Sequence, residues 1–443
     1  MNQEIALHEG WNAYRKIAFR FFFIFFLLFI LPYPINQNPI TYIPGVNWLL
    51  TQYGTMMNWM VQESGNAFFG VEGEISTRPT GSGDRTYNWV QNGLFLCIAI
   101  MGCLIWSVLD RKRKSYAKLW KWFYILMVYN LAYWMFVYGL IKVFSGQFGP
   151  PGIGRLLETF GESSPMRIMW TFMGSSVDYT HFSGWSETIA GILLLFRRTR
   201  TLGALAAAGV MLNVFMMNMS YDVPVKLFSF RLMIAGAWIA LADHKRLLAF
   251  FLFNKPVAAQ EWKPFFKTRW KNYTLLGFQV LIMGWHIYNF TNSGLDRLEN
   301  SSQNQIRPEL YGIHDVSNFV INGDTLPPLT TDTVRWQKAF VDYPSFGRFL
   351  FGIRTMQNET QYLRIRMDST TDAFELRPFR DTVNVYRFDY IKTDSTLTLD
   401  GIFRGDTLHI ETEYFDPDDF IIRSRGFHWL NEVPYNRHVP YKQ

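Results

Sequence analysis

The chain has 443 residues, a mean hydropathy of −0.01, 40 Phe and a formal net charge of +7. Up to about residue 291, long apolar stretches alternate with short basic loops, whereas no later stretch reaches the roughly 20 apolar residues that a spanning helix needs. Residues 292–443 carry 17 basic and 22 acidic side chains, so the positive total does not indicate a nucleic-acid-binding protein. We predict a polytopic membrane domain over 1–291 and a soluble domain over 292–443.

Seven apolar segments in the first part are expected to cross the membrane as helices. They are 16–33, 89–109, 120–143, 178–197, 201–219, 224–243 and 273–291. Loops on one side hold 19 Lys and Arg residues and loops on the other side hold five, which places the basic side and the N-terminus in the cytoplasm. We therefore expect a bacterial inner-membrane protein with a periplasmic C-terminal domain, whose basic loops face anionic membrane lipids.

Two external loops carry features of their own. A turn-rich run at 80–86 precedes the second span, and Asp84 or Thr86 is predicted to be the N-cap of that helix. The loop 144–177 is rich in Gly and Pro at its start and too polar to span. We expect it to dip into the bilayer or to lie over the mouth of the bundle.

The soluble domain has the pattern of β-strands. Segments 361–367, 383–390 and 407–414 alternate apolar and polar residues. Asp394-Ser395 and Arg404-Gly405-Asp406 are typical of hairpin turns. The predicted fold class is therefore a membrane α-helical bundle of about seven spans, followed by an all-β antiparallel sandwich or small barrel.

Four polar residues lie at nearly one depth in separate expected spans: Asn130, Glu187, Asn213 and Arg231. Counted from the flanking charges at about 1.5 Å per residue, they lie roughly 14–20 Å into a hydrocarbon core that is about 30 Å thick. Ionisable residues at that depth usually mark a functional site. We predict an ion pair between Glu187 and Arg231 with the two asparagines completing its hydrogen bonds. The alternative is a set of polar contacts that only holds helices together.

A second polar group is expected near the external ends of the same helices. It comprises Lys142, Asp178, His181, Asp222, Lys226 and His286. A haem held by His181 and His286 is conceivable, but a hydrogen-bonded structural role is the expectation for each histidine. Asp418 and Asp419 lack the ligand spacing of a calcium loop, so no metal site is predicted. The sequence singles out no catalytic residue.

Two motifs in the membrane part resemble a known family. Gly139-Leu140-Ile141-Lys142 ends the third span, and Glu187 begins a Gly- and Leu-rich run that extends to residue 205. Together they resemble the DoxX family over about 120–245, a four-helix membrane module with a GxxK ending and a mid-helix Glu. The resemblance implies an inner-membrane protein, in some members linked to quinone-dependent oxidation of reduced sulfur.

Three functions are compatible with these features. The first is a redox-associated membrane subunit that binds a quinone and meets an oxidoreductase partner in the periplasm. The second is a non-enzymatic envelope assembly factor whose β domain binds a peptide, a lipid or a protein. The third is a proton-coupled transporter, because buried charges also serve proton relays. The residues leave open whether the protein is an enzyme, and a quinone is the only cofactor that the resemblance suggests.

Overall fold

The computed structural model describes residues 10–31, 44–258, 266–303, 307–342, 349–368, 371–381, 383–432 and 435. Contacts divide the chain into two compact units. The first consists of Met1–Gln147 and Thr180–Arg297, and the second of Phe148–Tyr179 and Leu298–Gln443. The second unit thus combines the C-terminal strands with a segment that we had assigned to an external loop of the bundle.

Helices make up most of the described part of the first unit. In chain order, with three short helices of the second unit included, the α-helices are α1 Ala13–Ile30, α2 Val46–Phe68, α3 Thr86–Leu109, α4 Ala117–Val143, α5 Ile153–Leu156, α6 Pro165–Gly174, α7 Val177–Leu195, α8 Arg200–Ser220, α9 Lys226–Leu241, α10 His244–Leu247, α11 Arg269–Gln303 and α12 Ile421–Ser424. A π-helical turn, Leu248–Leu252, continues α10. A helix lies at each of the seven expected spans, although residues 32 and 33 of the first span are outside the described residues.

Among the described residues, three helices are long and apolar enough to cross a membrane: α3, α4 and α8. Helix α9 and the segment His244–Leu252 also pass that test together and are bent by 77° relative to each other, which would make a fourth. Length and composition therefore support three or four spans directly.

Close packing in the first unit depends on small residues. A Cβ on Gly236 of α9 would lie 2.9 Å from the backbone nitrogen of Ala208 in α8. Such positions let two helix backbones approach, as in membrane helix pairs. The core around them is formed by aromatic and aliphatic side chains, among them Phe123, Met127 and Leu131 of α4, which are almost completely buried.

The β-strands of the second unit form a closed barrel. They are β1 Gly312–Ile321, β2 Asp324–Thr325, β3 Trp336–Asp342, β4 Leu350–Thr355, β5 Thr360–Asp368, β6 Ala373–Arg377, β7 Tyr386–Lys392, β8 Thr396–Phe403 and β9 Asp406–Phe415. Every pairing is antiparallel, and β1 pairs with β9, so eight strands close while β2 adds only to β1. Of the two predicted alternatives, the small barrel is the one that forms.

Local sequence explains the tight connections and the filled interior. In the turn between β8 and β9, Arg404 and Gly405 both have positive φ, as a two-residue hairpin turn requires. Inward side chains such as Phe351, Phe374 and Phe388 pack together in the interior and are fully buried. An eight-stranded barrel has room for little more than its own side chains.

The segment 148–174 packs against the outside of this barrel. Ile153 of α5 joins Ile313 of β1 and Phe340 of β3 in a buried cluster. The guanidinium of Arg423 donates to the carbonyl oxygen of Pro151 at 2.7 Å. The segment is part of the barrel unit because its apolar side chains cover outward-facing strand residues. Its expected position in the bilayer or over the mouth of the bundle stays a prediction.

Candidate functional site

A buried ion pair joins α4 to α7. The Nζ of Lys142 donates hydrogen bonds to both carboxylate oxygens of Glu187, at 2.9 and 2.8 Å. The side chain of Glu187 is 0% exposed and that of Lys142 is 6% exposed. Because burying an unpaired charge is very costly, each of these side chains depends on the other.

Two glycines make room for the pair. A Cβ on Gly184 of α7 would lie 2.7 Å from the carbonyl oxygen of Gly139 in α4 and 2.9 Å from the Cβ of Lys142. The lysine stem therefore passes over Gly184 and reaches Glu187 about one turn further along α7. The sequence places the glycine, the lysine and the glutamate so that the two helices touch where the charges meet.

The ammonium group has further contacts on its own helix. Its Nζ donates to the carbonyl oxygen of Tyr138 at 3.2 Å and lies 5.5 Å from the centroid of the Tyr138 ring. Next to Glu187, the hydroxyl of Thr188 donates to the carbonyl oxygen of Gly184. Lys142 is thus held by a carboxylate, a carbonyl and an aromatic ring, which compensate much of its lost hydration.

Our prediction of a pair between Glu187 and Arg231 is wrong, since Lys142 occupies both carboxylate oxygens. The guanidinium of Arg231 lies over the ring of Phe29 at 4.2 Å, and its Nε donates to the carbonyl of Leu227. Arg231 is therefore stabilised by aromatic and backbone contacts rather than by that carboxylate.

The two predicted asparagines do not complete the pair. Asn130 is half-buried and Asn213 is exposed, and in the part of the chain that the structure describes neither hydrogen-bonds to Glu187. Equal depth along the expected spans does not determine which helix faces meet. Depth depends only on position along each helix, whereas contact also depends on the rotation of the helix about its axis.

The outer-end group separates into several local contacts. Lys142 pairs with Glu187, and Lys226 pairs with Asp222 at 2.8 Å. His181 lies 3.3 Å from the hydroxyl of Ser145. Each of these groups has a protein partner.

The last two members of that group also lie in different surroundings. His286 is buried against the ring of Tyr133, with 4.8 Å between the ring centroids, and Asp178 is exposed at the start of α7. Among the described residues, no group of three or more His, Cys, Asp or Glu side chains could hold a metal ion.

The Lys142–Glu187 pair provides a proton donor, the ammonium, and a proton acceptor, the carboxylate, in one apolar environment. Transfer of the ammonium proton to the carboxylate would leave a neutral amine and a neutral acid, and both remain able to form hydrogen bonds. In a medium of low dielectric constant the charged and neutral forms are closer in free energy than they are in water. Such a pair can bind a polar head group or exchange a proton with it.

The partner of Glu187 is Lys142, which the sequence shows as part of a motif without indicating that it contacts Glu187. Gly139 and Lys142 belong to the GxxK ending of α4, and Gly184 lies three residues before Glu187. Facing glycines on two helices were the signal that these faces meet. Depth counted from the flanking charges carries no information about this contact and favours Arg231, which is the wrong cation.

These features define a two-part protein: a bundle of apolar helices with an occluded ion pair, and a closed eight-stranded β-barrel. Bacillus subtilis YwoB, described as an uncharacterized protein, is 35% identical to this chain over 121 residues, which are 27% of the chain and 77% of YwoB. The chain therefore belongs to the same protein family as YwoB. No protein-family model matches the chain, and no solved structure matches it.

Proposed function

We propose that the protein is a multipass inner-membrane protein of DoxX-like type and that its functional site is the Lys142–Glu187 pair. In this proposal the pair binds the head group of a quinone and exchanges protons with it, while a periplasmic redox partner supplies or accepts the electrons. The single observation that carries the proposal is that Lys142 and Glu187, one ionisable residue from each of the two DoxX-like motifs, contact each other in a buried position.

The membrane topology is part of the proposal. All seven expected spans coincide with helices, and the charge asymmetry of the loops orients them with the N-terminus in the cytoplasm. The other four of the seven helices do not meet the length and composition test on their own, and α1, for example, carries Arg15, Lys16 and Arg20. We propose that these helices also cross, because charged side chains near a helix end can reach the membrane interface.

The chemistry of a quinone suits the pair. Reduction of a quinone to a quinol takes up protons as well as electrons, and a buried acid and amine can deliver them where water is excluded. The apolar helices around the pair would accommodate the rest of the ligand, as is usual for sites between bundle helices. The proposed site thus supplies proton transfer and orientation, and the electrons come from the partner.

The test is to extract the protein gently and measure bound quinone by mass spectrometry. We expect quinone with the wild type and its loss in Glu187→Gln, which keeps the size of the side chain but removes the carboxylate. Ser229→Ala is the matched control, because Ser229 accepts a buried hydrogen bond from Asn218 between α8 and α9. Absence of quinone from the wild type would reject the proposal.

A reversed pair separates function from structure. Lys142→Glu combined with Glu187→Lys keeps an ion pair between α4 and α7 but exchanges the positions of acid and base. If the pair only holds helices together, the reversed protein should keep both its stability and its activity. We expect it to regain stability relative to the single variants and to remain without bound quinone.

A second candidate function is assembly in the cell envelope through the barrel. The observation that favours it is a set of exposed apolar side chains after the last strand: Phe427, Trp429 and Leu430. Because the barrel interior is filled, a partner would bind on the outside. Capture of a periplasmic protein by the full chain, lost when Trp429 and Leu430 are changed to Ser, would support this function over the first.

A further inference from the structure

The outer face of strands β5 and β6 holds two arginines in direct opposition. Arg364 of β5 is the register partner of Arg377 in β6. Side chains at directly opposed positions have Cβ atoms about 4.5–5.5 Å apart, and like charges there destabilise a sheet. A third arginine, Arg366, lies on the same outward face of β5.

The strands that carry these three arginines also carry the carboxylate of Glu375. Glu375 is the register partner of Arg366, yet its carboxylate pairs with Arg377 at 2.8 Å. Among the described residues, no carboxylate lies within ion-pair distance of Arg364 or Arg366. Arg364 stacks over the ring of Phe379 instead, at 5.3 Å from its centroid. The carboxylate of Glu375 thus pairs with one of three guanidinium groups, and the local charge is positive and only partly compensated.

A cavity of about 370 Å³ opens at this place. Its lining consists of Phe349, Arg364, Ile365, Arg366 and Arg377. The Nε of Arg377 is buried and has no hydrogen-bond partner in the part of the chain that the structure describes. The volume of the cavity falls in the range of small-molecule sites, and the cavity lining combines guanidinium groups with apolar surface.

We propose that this cavity binds an oxyanion, phosphate or carboxylate, carried on an apolar body. Arginine is the side chain best suited to such anions because its planar donors match their oxygens in pairs. An anion between Arg366 and Arg377 would also relieve the repulsion between Arg364 and Arg377, and the apolar part of the cavity lining would contact the apolar body. A membrane-lipid head group and a free anionic amphiphile share this chemistry.

The binding test uses the full chain in discs of phosphatidylcholine, with three soluble probes: decyl phosphate, short-chain phosphatidylglycerol and inorganic phosphate. We expect saturable binding of at least one amphiphile, tighter than that of inorganic phosphate. A preference for phosphatidylglycerol would identify a lipid head group as the source, and a preference for decyl phosphate a free amphiphile. Failure of both amphiphiles to bind, or equally tight binding of inorganic phosphate, would overturn the proposal.

Variants locate the site. Arg377→Gln and Arg366→Gln should each weaken the binding about tenfold, the loss expected for one charged hydrogen-bonding group. Arg404→Gln removes the same charge at the β8–β9 turn, outside the cavity, and should leave the affinity unchanged. An equal loss in Arg404→Gln would show that only net charge matters and would overturn the assignment.

A stability measurement keeps the proposal testable if a binding variant folds poorly. Arg364→Gln removes one member of the opposed pair of arginines, so the unliganded variant should melt at a higher temperature than the unliganded wild type. The rise in melting temperature on adding the ligand should be smaller for the variant than for the wild type. A lower melting temperature for unliganded Arg364→Gln would contradict the charge argument and with it the proposal.

Discussion

Asp84 and Lys226 are joined across 142 residues of chain, because the carboxylate of Asp84 accepts a hydrogen bond from the backbone amide of Lys226 at 2.7 Å. Its second oxygen accepts from the amide of Leu227 at 3.0 Å. Beside it, the amide of Gly83 donates to the carbonyl of Pro224 at 2.7 Å. The turn-rich loop before α3 is therefore attached to the N-terminus of α9, whose first amides would otherwise have no partner.

Replacing this carboxylate should destabilise the helical unit. Asp84→Ala removes the acceptor for two amides and a negative charge at a helix N-terminus, so we expect a loss of about 1–2 kcal/mol. Asp222→Asn is the control, because it removes an exposed carboxylate that pairs with Lys226 and should cost less than about 0.5 kcal/mol. Unfolding in detergent measures both, and equal effects would refute the capping role.

The sequence predicted Asp84 or Thr86 as the N-cap of α3, and neither residue has that position in the structure. A capping residue is recognised by its neighbours in the chain, and Asp84 does lie just before α3. In the structure Arg85 is the N-cap residue of α3, which leaves the side chain of Asp84 available for α9. Contacts between distant segments decide such choices, and they leave no local signal.

Removing one partner of the buried pair should be worse than removing both. Lys142→Met leaves the carboxylate of Glu187 uncompensated, and we expect a loss of about 3–5 kcal/mol. Lys142→Met combined with Glu187→Met removes both charges and should recover much of that loss. A double-mutant cycle measured by unfolding in detergent gives the coupling. A double variant less stable than both single variants would contradict the pairing.

The contact between α4 and α7 should tolerate no side chain at Gly184. An added Cβ would meet backbone atoms, at 2.7 Å from the oxygen of Gly139 and 2.8 Å from the nitrogen of Val143, so Gly184→Ala should cost about 1–3 kcal/mol. Gly209→Ala is the matched control, since a Cβ on this glycine of α8 would have no heavy atom within 4 Å. It should stabilise the helix by up to about 1 kcal/mol, and both changes can be followed by thermal unfolding.

The positions of the elements were easier to predict than their contacts. The alternating strands 361–367 and 407–414 correspond to β5 and β9 within a few residues, because periodicity reports local structure. The apolar segments correspond to α-helices, although α11 continues to Gln303, well beyond the predicted end at residue 291. Closure of the barrel and the covering of its outer face by 148–174 depend on contacts that periodicity does not encode. The contact between Lys142 and Glu187 is likewise not encoded by periodicity. The sequence therefore identified Glu187 as a midplane site residue but placed Lys142 in the polar group at the external helix ends.

The barrel unit should lose stability in mild acid because of His314. This side chain is 1% exposed, and burial lowers its pKa to about 4. Its Nε2 lies 3.1 Å from the carbonyl of Leu310, while its Nδ1 is buried with no partner among the described residues, so the neutral ring fits and the charged ring does not. Between pH 6.5 and 4 the unfolded chain binds a proton that the folded barrel rejects, which lowers the free energy of unfolding by up to about 3 kcal/mol.

The pH dependence can be assigned with two variants. His314→Gln keeps a donor for Leu310 but cannot titrate, so the loss of stability between pH 6.5 and 4 should shrink. His409 is half-exposed, and its hydrogen bond with Asp400 raises its pKa. The stabilisation that it contributes therefore has the opposite pH dependence and is lost as the pH rises through that pKa. His409→Gln should leave the loss of stability between pH 6.5 and 4 unchanged. Thermal melts across this pH range distinguish the two histidines.

The segment 148–174 should be required for the stability of the barrel unit. Ile153 is fully buried against Ile313 and Phe340, so Ile153→Ala should lower the free energy of unfolding by about 2–5 kcal/mol. Phe160→Ala is the control, because Phe160 is 78% exposed and its loss should change the free energy of unfolding by less than about 0.5 kcal/mol. A fragment of residues 298–443 alone should be unstable, because it leaves the outer faces of β1 and β3 without their cover. Joining residues 148–176 to that fragment should restore a cooperative melt, and a stable 298–443 fragment would show that the segment only rests on a barrel that folds without it.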